Sequence, residues 1–281
     1  MSGVPVIPNV ENQTMNLRSL GYRTDLIFAR FHGQVSDIGE AVCISHPASP
    51  TFYFGNLLVF RNPPRAGDRP RWEALFARHV GTPPTVRHRL FGWDVPASGE
   101  AELQDFLDAG YVREDNVVMS APRLHRPPRL NETAEYRPLR DSDADWSQAV
   151  DNQVAAREDG YAEAGYRAFK ESQFRGYRAM CRAGQGVWYG AFVDGELVAD
   201  LGVFSDGAGV LRYQSVATHP RYRRRGLCAS LTFFAGTHAR MHFAAEQLVI
   251  VADDHAGAKR VYASVGFQDA ERQVLLLRRG E

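Results

Sequence analysis

From Tyr213 to Leu231 the chain reads Y-Q-S-V-A-T-H-P-R-Y-R-R-R-G-L-C-A-S-L. A β-prone run ends at Thr218, and a turn passes through His219-Pro220. Arg223-Arg224-Arg225-Gly226 then leads directly into an apolar helix rich in small residues. A strand, a basic turn with one glycine and a helix together offer free backbone N–H groups to a phosphate. The first N–H groups of a helix have no partner within it, and the helix dipole adds partial positive charge there. Gly226 lacks a Cβ, so an anion can approach its backbone. The arginines add charge-assisted hydrogen bonds, and Cys228 and Ala229 leave the first helical turn uncrowded.

At these residues the chain resembles the GNAT acetyltransferase superfamily. That family's loop, Gln/Arg-x-x-Gly-x-Gly/Ala, binds the pyrophosphate of acetyl-CoA, and it maps here to Arg223-x-x-Gly226-x-Cys228. The upstream V-x-T-x-P at 216–220 and the downstream Y-x-x-x-G-F at 262–267 match the same family in the same order. The resemblance runs from about Ala134 to Arg278. It implies acetyl-CoA as acyl donor, with no metal, and cofactor contacts from Val216, Thr218, Arg223, Arg224, Arg225, Gly226, Cys228, Ala229 and His255. It implies that the strands flanking Val216 splay to admit the pantetheine arm, and that backbone N–H near Val216 polarises the thioester carbonyl. It also makes Tyr262 the acid that protonates the departing thiolate. His255 stands where the family commonly has Asn; contact with the pantetheine, a cap on the helix at Ala256 and a plain surface position all stay open.

Each of these residues has a competing reading. Arg221 and Arg223–Arg225 could form a nucleic-acid patch, but a formal net charge of +0 gives no long-range field for a polyanion. Cys228 could be a nucleophile at a helix N-terminus, yet the small-residue slot accounts for it. Tyr262 could be a core aromatic. The general base is the gap. Relatives use a Glu on the strand before the loop, whereas here that strand, 211–218, holds Gln214 and no carboxylate. Asp200 on the preceding strand, and Glu158, Asp159 and Glu163 between the first two helices of this half, are the alternatives.

Composition sets the frame for this site. At 44% hydrophobic and 23% charged residues, 281 residues make one large or two ordinary globular domains. No apolar run reaches the roughly 20 residues that span a bilayer, and the N-terminus lacks the pattern of a secretory signal. Cys43, Cys181 and Cys228 are too far apart for a zinc or disulfide framework. A cytoplasmic protein is the expectation, with neither nucleic acid nor membrane as partner.

Arg123 to Arg129, with Pro127-Pro128, marks a linker, so the expected domains are 1–125 and 132–281. The second reads as a mixed, mostly antiparallel α/β sheet flanked by helices: a strand at Tyr136–Leu139, a helix capped by Asp141 or Asp143, and a helix over Tyr166–Arg182. Strands follow at Gly186–Val193, Glu196–Phe204 and up to Thr218, then a helix to Phe243. A strand at Gln247–Val251, a helix at Ala256–Ser264 and a strand at Gln273–Leu277 complete it. In the first half, Thr24–Phe31 and Thr51–Phe60 read as strands and Trp72–His79 as a helix. Phe106–Tyr111 and Tyr262–Phe267 share the pattern aromatic-x-x-x-Gly-aromatic before a β run. This echo points to two tandem domains, the first a degenerate GNAT-like or accessory α/β domain. Its stretch between Phe60 and Trp72, R-N-P-P-R-A-G-D-R-P-R, is a poor phosphate cradle because prolines lack N–H. The combined expectation is an acetyl-CoA-dependent N-acetyltransferase acting on the primary amine of a small molecule. The alternatives are a non-catalytic acyl-CoA sensor and a protein N-terminal or lysine acetyltransferase.

Overall fold

The structure, a computed structural model, describes residues 17–94, 101–158, 160–253 and 257–280. In chain order the elements of the first part are α1 (Leu20–His32), β1 (Gln34–Asp37), β2 (Ala41–Ser45), β3 (Leu57–Phe60), α2 (Arg69–His79), β4 (Arg89–Trp93), α3 (Gln104–Asp108) and β5 (Val112–Ala121). Then come β6 (Glu135–Pro138), α4 (Asp143–Ala155), α5 (Glu163–Arg182), β7 (Gly186–Val193), β8 (Glu196–Ser205) and β9 (Val210–Thr218). The chain ends with α6 (Leu227–Phe243), β10 (Gln247–Asp253), α7 (Ala258–Ala263) and β11 (Gln268–Arg278). Among the described residues no helix is long and apolar enough to cross a membrane. The fold is mixed α/β, with largely antiparallel strands flanked by helices.

Two compact units result: residues 1–114 with 274–281, and residues 115–273. In the first unit the strand order is β1-β2-β3-β4-β11. The β1–β2, β2–β3 and β4–β11 pairs are antiparallel, and β3–β4 is parallel. Its interior is aromatic: Trp72 of α2 stacks on Phe60 at 3.6 Å between centroids, and Phe91, Phe106 and Tyr111 pack edge-on or stacked around them. Thr24–Phe31, expected as a strand, lies in α1. Its β-prone residues are overridden by helical spacing, which puts Tyr22 and Leu26 on one buried face, and by the Ser19 hydroxyl, which accepts from Tyr22 N. Asp94 secures the same end by accepting from Arg18 N (2.7 Å) and Ser19 N (2.8 Å). Of the expected strand Thr51–Phe60, only Leu57–Phe60 is extended; Tyr53–Gly55 is a 3-10 turn.

In the second unit the order is β5-β10-β9-β8-β7-β6, antiparallel throughout except for the parallel β9–β10 pair. The cap of α4 is Ser142, whose hydroxyl accepts from Asp145 N, rather than Asp141 or Asp143. Asp141 is drawn instead to Arg178 and Arg182 of α5. Helix α6 packs on β9 at close range because Gly236 has no Cβ to collide with the Tyr213 hydroxyl, which donates to Thr232 O at 2.8 Å.

Apart from β6 and a second helix, α5, in the second unit, the two units repeat one succession: a helix, two antiparallel pairings, a parallel crossover through a helix, then a short helix and a glycine corner. At both corners glycine has positive φ, Gly110 at 84° and Gly266 at 110°. The second aromatic N–H reaches back to the first aromatic carbonyl, Tyr111 to Phe106 at 3.0 Å and Phe267 to Tyr262 at 3.2 Å. The final strands are exchanged between the repeats. Strand β10 pairs with β5, from Asn116↔Asp253 to Ala121↔Leu248. Strand β4 pairs with the end of β11, from Gly92↔Leu275 to Arg89↔Arg278. The divisions at 114/115 and 273/274 thus differ from the expected 1–125 and 132–281. Prolines mark where backbone cannot pair, whereas strand pairing decides which unit a segment joins.

A fragment spanning 132–281 lacks the strand that covers β10, while 115–273 keeps it. The fragment 115–273 should unfold cooperatively in urea as a monomer, and 132–281 should associate through its open strand edge. Size-exclusion chromatography and urea melts of the two fragments check this.

Candidate functional site

Strands β9 and β10 pair over only Val210↔Gln247, Leu211↔Leu248 and Arg212↔Val249. Yet β9 continues to Thr218 and β10 to Asp253. Beyond Arg212 and Val249 the two parallel strands part. A cavity of about 390 Å³ opens between them, lined by Arg212 to Val216 of β9, Ile250 to Asp253 of β10, and Asn116, Ala258 and Tyr262.

The parting coincides with a bulge. The β8–β9 register passes from Asp200↔Ala217 to Gly202↔Gln214, so Leu201 faces two residues, Ser215 and Val216. Ser215 adopts φ 49°, a left-handed conformation that costs a non-glycine residue of order 1–3 kcal/mol. Val216 therefore stands outside both the β8 and the β10 ladders and lines the cavity.

The bulge is held by buried polar groups. Gln153, in the last turn of α4, donates from Nε2 to the Ser215 carbonyl at 2.7 Å and to Asp200 Oδ2 at 3.1 Å. The Asp200 carboxylate, fully buried on β8, also accepts from Asn152 Nδ2 (2.5 Å) and Trp188 Nε1 (2.9 Å). Burial pushes its pKa up to about 7 against these donors. Lys170 of α5 is also buried, and burial lowers its pKa to about 8.

At Thr218 the strand gives way to the basic turn and α6. A second hollow of about 160 Å³ is lined there by Thr218, Tyr222, Arg223, Arg224, Gly226 to Ala229, and Val261. Gly226 is the N-cap of α6 at φ 80°. A Cβ there would meet the Arg129 carbonyl at 2.7 Å. Asn131 ties down the outside of the turn, donating from Nδ2 to Arg225 O and from its backbone to Ser230 Oγ. Arg223 reaches Thr218 O at 3.3 Å, and the Arg225 guanidinium lies over the Tyr222 ring at 4.9 Å.

The structure thus gathers Val216 and Tyr262 at one cavity, and Thr218, Arg223, Arg224, Gly226, Cys228 and Ala229 at the other. Arg225 lines neither hollow. His255 and Asp159 lie outside the described residues. Burial pushes the Cys228 thiol up to about 11, so it is a protonated small side chain rather than a nucleophile. Burial, with Cys228 nearby, raises the Tyr262 phenol far above its ordinary range, which keeps it protonated. Of the carboxylates considered from the sequence, Asp200, Glu158 and Glu163 do not line the cavity; Glu163 pairs with Arg157 at 3.2 Å. Among the described residues the carboxylate that does is Asp253, with Asn116 and Arg212 as polar neighbours. Its position at the end of an apolar strand was the available signal. Asn116 carried none, because its strand reaches the site by exchange.

Two outcomes follow from this geometry. Gly226→Ala forces a side chain into a left-handed position against a backbone oxygen, and should cost roughly 1–3 kcal/mol in urea unfolding. Asp200 ionises near 7 when folded, against an ordinary value of 3.8. The stability it supplies is complete below about pH 3.8 and lost as pH rises through 7. Asp200→Asn cannot ionise, so its urea midpoint should vary less between pH 4 and 8 than that of the parent.

Residues 146–267 match the sequence model of the acetyltransferase (GNAT) family. No curated protein matches the chain. Among solved structures, a conserved protein of unknown function from Staphylococcus epidermidis ATCC 12228 is similar at TM-score 0.70 and 12% identity, over 89% of this chain and 95% of that one. A GCN5-related N-acetyltransferase from Kribbella flavida is similar at 0.64 and 17%, over 94% and 97%. A tandem GNAT protein from the clavulanic acid biosynthesis pathway is similar at 0.52 and 17%, over 79% and 73%. At these identities the likeness is one of fold, and it extends across both repeats. With the family match over the parted strands and the basic turn, the chain carries at residues 146–267 an acetyltransferase domain of the GNAT family.

Proposed function

We propose that the protein is an acetyl-CoA-dependent N-acetyltransferase acting on the primary amine of a small molecule. The observation that carries this reading is the parting of β9 and β10, with the phosphate-type turn at Thr218–Ala229 beyond it and Tyr262 in its wall. In this reading the pyrophosphate rests on the α6 N-terminus, held by backbone N–H groups and arginine, and the pantetheine lies between the parted strands. The Val216 N–H faces the thioester carbonyl as an oxyanion donor. The amine nitrogen attacks that carbonyl, a C–N bond forms and the C–S bond breaks, and the sulfur takes a proton from Tyr262. Asp253, the carboxylate on the cavity wall, accepts the amine's proton directly or through water.

We further propose that the first unit binds no CoA. Three features of the second unit are absent from its described residues. The β2–β3 register runs without a bulge from Ala41↔Phe60 to Ile44↔Leu57. The β3–β4 pairing continues to the ends of both strands at Phe60↔Trp93, where Asp94 N closes onto Phe60 O at 2.8 Å. At the glycine corner Phe106 occupies the place of Tyr262 in the repeat, and it packs against Trp72 and Phe91 in the aromatic interior.

Calorimetry with acetyl-CoA should give one site per chain; a second site overturns the assignment of the first unit. A thiol-release assay with acetyl-CoA and a panel of small primary amines should then show turnover. For Tyr262→Phe, kcat should fall by roughly 10²–10⁴-fold, with acetyl-CoA affinity little changed. Near-normal turnover in that variant, with chemistry rate-limiting, would remove the hydroxyl from the mechanism.

A further inference from the structure

The Ser215–Val216 bulge is a strained conformation, and strain persists only where its surroundings over-determine it. Two helices supply that constraint. From α5, the Tyr177 hydroxyl accepts from Gln214 Nε2 at 2.9 Å, beside the bulge. From α4, the amide of Gln153 joins two partners of different kinds. It donates to the carbonyl of Ser215, the left-handed residue, and to the buried Asp200 carboxylate on the neighbouring strand.

An amide NH₂ group has two protons. One is directed by the carboxylate, so the other has a fixed direction towards Ser215 O. The carboxylate is itself oriented by Asn152 and Trp188. Gln153 and Asp200 are both buried, so water cannot substitute for either bond.

The peptide unit that joins Ser215 to Val216 carries the Ser215 carbonyl on one side and the Val216 N–H on the other. Because a peptide is planar, fixing the carbonyl fixes the N–H. The carbonyl is pinned towards α4, so the N–H is turned away from it, on the residue that lines the cavity.

We propose that Gln153, oriented by Asp200, is a positioning residue: it aims the Val216 N–H at the acyl carbonyl of a bound thioester. The proposal rests on the acetyl-CoA reading above. It assigns the buried Asp200 carboxylate the role of orienting an amide, in place of that of a base. The residue acts through the backbone and touches no reacting atom.

The test reads carbonyl polarisation directly. Acetyl-CoA labelled with ¹³C at the acyl carbonyl is bound to the full chain, and the carbon resonance is compared with that of free ligand. A hydrogen bond to the oxygen moves it downfield. Gln153→Met keeps the side-chain length and removes both donated bonds. It should lose at least half of the downfield shift, while calorimetric affinity for CoA, which has no acyl group, changes less than threefold. Asp200→Asn, which weakens the orientation of Gln153 without removing it, should give an intermediate shift and serves if Gln153→Met does not fold. A full shift in the folded variants overturns the proposal, as does a parent protein that binds acetyl-CoA with no shift. If the parent binds neither CoA nor acetyl-CoA, the functional reading itself fails, and the inference with it.

Discussion

The site depends on a sheet that stops being a sheet at one place. Parallel strands hold together through an evenly spaced ladder of backbone hydrogen bonds. Between β9 and β10 that ladder ends at Arg212↔Val249. Past this point each strand carries backbone groups that the other no longer satisfies. Such groups are costly to bury without partners. They are well suited to a ligand that presents amides and carbonyls of its own, as a pantetheine does.

Keeping the strands apart requires structure on both faces. On one face, α6 is drawn close to β9 by the contact of Gly236 with Tyr213, and its N-terminus at Gly226 lines the second hollow. On the other, the last turn of α4 and the middle of α5 place Gln153 and Tyr177 against the bulge. The bulge in turn takes Ser215 and Val216 out of register with β8. The opening walled by Val216 and Tyr262 is thus set by a local break in pairing, not by the composition of any one segment.

The first unit shows what the same succession becomes without that break. Its parallel pair stays closed to the strand ends, its β2–β3 ladder has no bulge, and aromatic side chains fill the interior. Buried aromatic pairs contribute both area and favourable ring geometry, so this unit is built for packing. The exchange of β5 and β11 gives each unit a strand from the other repeat's sequence. Neither contiguous half is then a complete sheet.

The sequence by itself determined the succession of strand, basic turn and helix, because strand, arginine, glycine and helix are local and contiguous from Thr218 to Ala229. It determined most elements of the second half for the same reason, with Gly186–Val193 read to the residue. It determined the Gly110/Gly266 echo, since a left-handed corner needs glycine wherever it falls. Where local preference and long-range packing disagreed, the sequence misled. Thr24–Phe31 looked extended, but the burial of Tyr22 and Leu26 on one helical face decided otherwise. The bulge at Ser215, the parting of the strands and the clamp from Gln153 to Asp200 were left to tertiary structure. Each joins residues from separate elements, such as Gln153, Asp200 and Ser215, whose meeting no local pattern encodes. The exchanged strands belong to the same class: which edge a β run covers is settled by the edge left open, not by the run.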